Sequence, residues 1–164
     1  MKKHITIIIL FVCLTIQSQK KELNVYSFEE VEILHQQNPK PMVVFIYTDW
    51  CKFCYAMKKN TFENKEVIEI LNKSFYFIKL NAEEKKDITF LNKTFKYKPT
   101  GINTGIHQLA NELASIKNRI SYPTTILMNS KLEIELQKNG YINNKKLKSI
   151  INKYIKSIQK KTYN

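Results

Sequence analysis

Apolar runs and polar segments alternate along the chain in a way that predicts a mixture of strands and helices. The run Met42–Tyr47, which follows two prolines, is continuously apolar, as is typical of a strand buried on both faces. Residues 75–80 form a second run of this kind. Residues 124–128 and 132–137 flank a short Asn129-Ser130 turn, and this arrangement predicts a β-hairpin. We expect the first of these strands to be central in the sheet.

Helices are predicted where apolar residues recur every three or four positions. Ser27 and Glu30 match a capping box at the start of a helix that continues to about Gln37. A second helix is predicted over residues 53–60, and Asn64 is placed to cap a third. The C-terminal stretch has the spacing of an amphipathic helix that packs on a sheet, with these apolar residues set between lysines: Leu147, Ile150, Ile151, Tyr154, Ile155 and Ile158.

Between residues 90 and 121 the pattern is less regular. Turn signals occur at 98–101 and at 103–105. The spacing of Leu109, Leu113 and Ile116 predicts a short helix over residues 107–117. We interpret residues 93–120, approximately, as a helical insert within a single α/β domain.

The first eighteen residues have the layout of a secretory signal peptide, with a basic start, an apolar stretch and a small residue at the end. The apolar stretch is shorter than the roughly 20 residues that a bilayer-spanning helix needs. We expect cleavage after Ser18, which leaves residues 19–164 as a mature domain in the periplasm or secreted. An alternative is a lipoprotein acylated at Cys13, although Val12 is larger than the residue that usually precedes such a cysteine.

Length and charge limit the classes of function. Removal of residues 1–18 leaves about 146 residues, enough for one domain that buries a core without crosslinks. The formal charge of +13 falls to about +11 when Lys2 and Lys3 are removed, which still favours attraction to nucleic acid or to an anionic membrane. The lysines are scattered along the sequence, however, and Arg119 is the only arginine. We therefore interpret the charge as an aid to solubility, and expect a monomer with no nucleic-acid partner.

The mature chain would contain two cysteines, Cys51 and Cys54, within the motif DWCKFC. A disulfide between residues three apart closes too short a loop to be an effective structural crosslink. Cys51 falls at the predicted start of a helix, where unpaired backbone N–H groups and the helix dipole favour a thiolate. Cys54 follows one turn later, where it can attack a mixed disulfide formed at Cys51. The pair is therefore predicted to be catalytic, with Cys51 as the nucleophile and Cys54 as the resolving thiol.

From residue 40 to about residue 154 the sequence resembles the thioredoxin superfamily. The features follow the order of that superfamily: the strand MVVFIY, the motif WCKFC, the segment KLNAEE, the loop Tyr122-Pro123-Thr124-Thr125, and Gly140 before the last helix. Residues 50–81 are especially similar to exported proteins related to the C-terminal domain of the bacterial thiol:disulfide interchange transporter. The resemblance implies an α/β, thioredoxin-like fold in which a central mixed β-sheet is flanked by helices, with the helical insert before the cis-proline loop.

The resemblance also implies roles for three residues near the cysteines. Pro123 would follow a cis peptide bond and leave the backbone of Tyr122 free to pair with an extended substrate segment. Trp50 would be a partly exposed aromatic residue at the rim of the active site. The structural alternatives are a proline at an ordinary strand edge and a tryptophan that fills the core.

The sequence departs from the superfamily pattern behind the cysteine pair. Thioredoxins carry a buried acid on the strand before the motif, and Phe45 occupies that place here. The lysine that often faces this acid is present as Lys79, which is a candidate for proton transfer. Proton exchange with Cys54 would then use water or another group such as Glu83 or Glu84, although we expect both glutamates to be solvated.

Inside the motif, Lys52-Phe53 replaces the Gly-Pro of reducing thioredoxins. The ammonium group of Lys52 would favour the Cys51 thiolate, which stabilises the reduced form and makes the disulfide more oxidising. Alternatively, Lys52 points to water and has little effect. The direction of electron flow stays open on these grounds.

A metal site and a binding module are the alternatives to a redox centre. A structural zinc site needs four ligands, and the mature chain offers two cysteines with His35 and His107 but no second C-x-x-C. We therefore expect no metal and no cofactor. The alternative to an enzyme is a thioredoxin-fold binding or chaperone-like module whose insert holds a partner.

These features together predict an exported thiol:disulfide oxidoreductase. Its substrates would be disulfide-containing exported proteins, which it would more readily reduce or exchange than oxidise. A membrane or soluble thiol would supply the electrons.

Overall fold

The computed structural model describes residues 22–117 and 119–162. The predicted signal peptide, residues 1–18, and the alternative acylation site at Cys13 lie outside the described residues, so the division of the chain at Ser18 stays a prediction. Within the described part of the chain, no helix is both long enough and apolar enough to cross a membrane.

Helices and strands alternate along the described residues, as the apolar pattern predicted. Their order and bounds are α1 Phe28–Gln37, β1 Met42–Tyr47, α2 Lys52–Asn60, α3 Lys65–Ser74, β2 Tyr76–Asn81, β3 Ile88–Phe90, β4 Lys93–Phe95, β5 Tyr97–Pro99, β6 Gly105–His107, α4 Gln108–Ala114, β7 Thr124–Met128, β8 Ile134–Asn139 and α5 Asn144–Thr162.

Strand β1 lies in the interior of a four-stranded mixed sheet with the order β2-β1-β7-β8. It pairs in parallel with β2 and antiparallel with β7, and β8 continues the sheet antiparallel to β7. Both the interior position of β1 and the β7–β8 hairpin are confirmed. The continuous apolar sequence of β1 is explained by helices that cover both faces of the sheet.

Each face of the sheet carries its own hydrophobic core, because alternate side chains of a strand point to opposite faces. Val44 and Ile46 of β1 belong to a core that is covered by α1 and α4. Val43 and Phe45 belong to a second core, covered by α2, α3 and α5. The second core includes the cysteine pair, so the redox centre is packed against the middle of the sheet.

The predicted helix caps are confirmed. The hydroxyl of Ser27 accepts a hydrogen bond from the Glu30 N–H at 3.1 Å, and the Glu30 carboxylate accepts one from the Ser27 N–H at 2.7 Å. At the start of α3, the side-chain oxygen of Asn64 accepts a hydrogen bond from the Val67 N–H at 3.2 Å. These side chains satisfy backbone donors that have no partner within the first turn of a helix.

The second strand of the hairpin begins two residues later than the predicted position 132. The turn is longer than the Asn129-Ser130 pair, because the Asn129 side chain accepts hydrogen bonds from the N–H groups of both Lys131 and Glu133. Leu132 lies within this turn with φ at 64°, which is not a strand conformation. Strand β8 therefore starts at Ile134.

The segment between β2 and β7, which includes the predicted insert of about residues 93–120, contains α4 and two short hairpins, β3–β4 and β5–β6. Strand β3, Ile88–Phe90, lies before the predicted start of the insert. Helix α4 lies inside the predicted range of 107–117 but ends at Ala114, and Ile116 instead forms an isolated bridge with Arg119. The hairpins were not predicted. Strands of three residues are too short to show a two-residue period in the sequence.

His107 anchors the insert to the main sheet. Its backbone N–H donates to the Ala82 carbonyl at 2.7 Å, just beyond the end of β2. Its Nδ1 accepts a hydrogen bond from the Leu109 N–H at 3.2 Å and so caps α4. Burial lowers the pKa of the imidazole, against a smaller opposite effect of neighbouring carbonyl and carboxylate oxygens. His107 therefore caps α4 and packs the insert against the sheet.

Replacement of the α3 cap tests this description of the fold. We expect Asn64→Ala to lower the free energy of unfolding by about 1 kcal/mol, because the Val67 N–H loses its partner. The matched control is Asn152→Ala, an exposed asparagine inside α5, where alanine has the higher helix propensity. Urea unfolding followed by circular dichroism measures both. Equal changes in the two variants would contradict the capping role of Asn64.

Candidate active site

Cys51 and Cys54 are joined by a disulfide bond at the start of α2. Strand β1 ends at Tyr47, and residues 48–50 turn the chain so that Cys51 becomes the N-cap of the helix. The Sγ atom of Cys51 accepts a hydrogen bond from the Cys54 N–H at 3.0 Å. Cys51 is 6% exposed and Cys54 is fully buried. This arrangement suits an attacking sulfur at Cys51 and a protected sulfur at Cys54.

The Tyr122–Pro123 peptide bond is cis, as the resemblance implied. Pro123 directly precedes β7, whose first residue, Thr124, pairs with Ile46 near the end of β1. The Pro123 carbonyl accepts a hydrogen bond from Gly140 at 2.8 Å. Within the described residues, the backbone N–H and C=O of Tyr122 make no hydrogen bond. The Tyr122 backbone is therefore available to a segment from outside the chain.

Trp50 lies at the rim of the site, where 68% of its surface is exposed. Its ring meets the ring of Tyr122 edge to face, with centroids 6.1 Å apart. Its indole Nε1 donates a hydrogen bond to the Glu83 carboxylate at 3.0 Å. Trp50 therefore does not fill the core, and the expectation that both glutamates are simply solvated is wrong for Glu83. Glu84 is exposed, as expected.

Glu83 is fixed by a chain of hydrogen bonds that joins two loops. Its backbone N–H donates to the side-chain oxygen of Asn81 at 3.0 Å, and the Asn81 amide donates to the Asp49 carboxylate at 3.0 Å. The next residue, Ala82, donates its N–H to the Tyr47 carbonyl at 2.7 Å. The loop after β2 is thereby attached to the loop that carries the cysteines.

Tyr122 has a strongly perturbed hydroxyl. Burial raises the pKa of Tyr122 to about 12, and the nearby carboxylate of Glu83 adds to the effect. A phenol with this pKa stays neutral throughout the physiological pH range. Tyr122 therefore offers the site an apolar ring and a neutral hydroxyl group rather than a charge.

Phe45 and Lys79 lie side by side, paired across β1 and β2. Phe45 is fully buried in the core that contains the cysteines, with its ring centroid 4.8 Å from that of Phe62. Lys79 is exposed and lines an open groove of about 540 Å³ beside α2. Neither cysteine lines this groove. Within the described residues, Lys79 has no hydrogen bond to the cysteine pair, and its part in proton transfer stays a prediction.

Lys58 is a charged neighbour of the site that the sequence did not single out. Its Nζ lies 3.4 Å from the centroid of the Tyr47 ring and 4.0 Å from the Asp49 carboxylate. Burial lowers the pKa of Lys58, the Asp49 charge opposes this shift, and the Lys79 charge adds to it. The sequence pattern did not predict this contact, because the contact depends on how α2 packs beside the end of β1.

Lys52 and Phe53, the two residues between the cysteines, both face solvent. Lys52 is the first residue of α2, and 67% of the Phe53 surface is exposed. The exposed ring of Phe53 adds a second apolar surface at the rim of the site, in addition to that of Trp50. The effect of the Lys52 ammonium on the Cys51 thiolate stays a prediction.

The comparisons with known proteins agree with this geometry. The family model named Thioredox_DsbH, described as "Protein of unknown function, DUF255", matches residues 14–160. The chain belongs to this DsbH-like thioredoxin family. A curated relative, the uncharacterized protein B0495.5 of Caenorhabditis elegans, is 33% identical over 66 residues. That match covers 40% of this chain and 9% of the relative, so the chain spans only a small part of the relative's length.

Two solved structures, of a DsbH oxidoreductase and of a thioredoxin, share the fold of this DsbH-like chain, and a third is similar at a lower TM-score. A DsbH oxidoreductase is similar with a TM-score of 0.53 at 14% identity, covering 87% of this chain and 91% of the other. A thioredoxin from Thermus thermophilus is similar with a TM-score of 0.58 at 14% identity, covering 82% and 88%. The reduced C-terminal domain of Neisseria meningitidis DsbD has a TM-score of 0.48 at 17% identity, covering 73% and 85%.

The predicted thioredoxin-superfamily membership and thioredoxin-like fold are therefore confirmed. The DsbH-like chain combines this fold with a Cys51–Cys54 pair at bonding distance, and the combination supports thiol–disulfide redox chemistry.

The contact between Trp50 and Glu83 can be tested by fluorescence, because Trp50 is the only tryptophan of this DsbH-like chain. We expect Glu83→Ala to release the indole and to lower the steady-state anisotropy of Trp50, since its hydrogen-bond acceptor is lost. Glu83→Gln keeps an acceptor oxygen and should retain most of the anisotropy. The control is Glu84→Ala, which removes the neighbouring exposed carboxylate. Anisotropy that is equal in the two alanine variants would show that Glu83 does not hold Trp50.

Proposed function

We propose that this protein is a thiol:disulfide oxidoreductase that reduces or exchanges disulfides in exported proteins. The observation that carries the proposal is the placement of Cys51 at the start of α2, close to the sheet edge where the cis Pro123 precedes β7. A thiolate at a helix start is favoured by unpaired backbone N–H groups and by the helix dipole. A buried Cys54 one turn later is protected until a mixed disulfide forms.

The reaction we propose begins with the reduced pair. The Cys51 thiolate attacks one sulfur of the client disulfide, a mixed disulfide forms, and the client's other sulfur leaves as a thiolate that takes a proton. The Cys54 thiol then loses its proton and attacks Cys51 Sγ. This step releases the second client thiol and closes the Cys51–Cys54 disulfide. Two electrons pass to the client, and an external dithiol donor must return them.

The proton of Cys54 needs an acceptor in this scheme. The ring of Phe45 occupies the buried position behind the cysteines and has no atom that can take a proton. Glu83 is already the partner of Trp50 at the rim. We therefore assign the proton to water that enters beside Cys51, the more exposed of the two sulfurs. Lys79, on the groove side of α2, would act only through its charge.

Client segments would bind in an extended conformation beside Cys51. The N–H and C=O of Tyr122, which have no hydrogen-bond partner in the described part of the chain, would pair with the client backbone, in the manner of a strand added to a sheet edge. The exposed rings of Trp50 and Phe53 would contact apolar side chains next to the client cysteine. Backbone pairing and apolar contacts depend little on the sequence of the client, which is consistent with action on several clients.

The predicted signal peptide implies the compartment in which the protein acts and the kind of thiol that reduces it. If residues 1–18 direct export, the mature chain acts in the periplasm or outside the cell, where disulfides persist. The donor would then be a membrane or soluble thiol protein of that compartment. A binding or chaperone-like module is the alternative, and the anchored insert with its two hairpins would be its binding element.

Trapping of clients distinguishes an enzyme from a binding module. We expect Cys54→Ala to accumulate mixed disulfides between Cys51 and client proteins, because the resolving step is lost. The matched variant Cys51→Ala should accumulate none, since Cys54 is buried. Non-reducing electrophoresis after acid quenching measures the captured species. Equal capture by the two variants, or capture by neither, would favour the binding module.

A further inference from the structure

Five lysines that are dispersed in the sequence lie on one side of helix α5. The helix has 19 residues, and among the side chains that the structure describes along it the exposed lysines are Lys145, Lys146, Lys153, Lys156 and Lys160. At 3.6 residues per turn these positions fall within an arc of about 100°, and at 1.5 Å per residue they extend over about 22 Å. We call this set the lysine stripe.

The charge of the lysine stripe is not neutralised by nearby acids. Helix α5 contains no aspartate or glutamate. Within the described residues, none of the five lysines forms a salt bridge. Lys148, which lies outside the arc, is by contrast paired with Glu66 of α3. The stripe therefore presents five positive charges, none of them in an ion pair with a described residue, on one side of a regular helix.

The orientation of the stripe is fixed by the core. On the opposite side of α5, Leu147 and Ile151 are buried among residues of the sheet and of α3. The ring of Tyr154 lies 6.1 Å from that of Phe75 and turns towards the same core. The helix cannot rotate about its axis without removing these side chains from the core. The packing of α5 on the core therefore keeps these lysines on the solvent side of the helix.

We propose that the lysine stripe binds the surface of an anionic phospholipid bilayer. A band of ammonium groups on one side of a helix complements a flat layer of anionic headgroups, and each lysine near such a surface strengthens binding about fivefold. Nucleic acid is a poorer match. Helix α5 has no arginine for bidentate contacts and, among its described side chains, no exposed aromatic ring for base stacking.

This inference does not depend on the redox chemistry. The lysine stripe would attach the chain reversibly to a membrane surface through charge alone, because the apolar side of α5 is buried in the core. Such attachment would concentrate the protein beside a membrane-bound partner. It would also weaken as ionic strength rises, because exposed charges are screened.

Co-sedimentation of the purified chain with vesicles tests the proposal. The vesicles are equal parts phosphatidylcholine and phosphatidylglycerol, with pure phosphatidylcholine as the uncharged comparison. We expect Lys153→Gln with Lys156→Gln to weaken binding to the anionic vesicles about 25-fold, at about fivefold per lysine. The control, Lys85→Gln with Lys86→Gln, removes the same charge from an exposed loop. It should weaken binding less than threefold, because it changes only the net charge of the protein and not the lysine stripe.

One further variant and one further ligand, duplex DNA, complete the test. Lys153→Arg with Lys156→Arg keeps the charge and should restore binding, and thermal unfolding verifies that all variants are folded. Equal losses in the two glutamine pairs would overturn the proposal, because net charge would then explain binding. Absence of wild-type binding, or equal binding to uncharged vesicles, would also overturn it. Loss of duplex-DNA binding in the stripe variant, with vesicle binding unaffected, would assign the stripe to nucleic acid instead.

Discussion

The burial of β1 between two hydrophobic cores determines where the reactive groups meet. The strand is hydrogen-bonded on both edges and packed on both faces, so its C-terminal end has a fixed position. The parallel partner β2 ends at the same edge of the sheet, and the antiparallel partner β7 begins there. The loops that carry Cys51, Glu83 and the cis Pro123 therefore converge at this edge of the sheet.

The polar contacts of the site join these loops to one another instead of adding charge to its centre. Asn81 links Asp49 to the backbone of Glu83, and Glu83 holds the indole of Trp50. Behind the cysteines, Phe45 replaces the acid that the superfamily resemblance would have placed there. A buried phenyl ring avoids the desolvation cost of a carboxylate, and it leaves proton movement to solvent.

The elements that the sequence predicted well are those whose signals are local. The apolar run of β1, the capping box at Ser27 and the cap at Asn64 each depend on neighbouring residues, and all three are confirmed. The cysteine pair was likewise evident from spacing alone. The contact between Trp50 and Glu83 spans 33 positions and could not be inferred from either segment. The lysine stripe and the short hairpins of the insert also emerge only when the chain is folded.

The reduction potential of the Cys51–Cys54 pair decides whether this chain donates electrons to disulfides. It can be titrated in glutathione or dithiothreitol buffers, with the fluorescence of Trp50 as the signal, since the indole is adjacent to Cys51. A reductase requires a potential near the value of about −270 mV that is typical of thioredoxin. A potential near about −120 mV, as in strongly oxidising periplasmic dithiol proteins, would contradict this direction of electron flow.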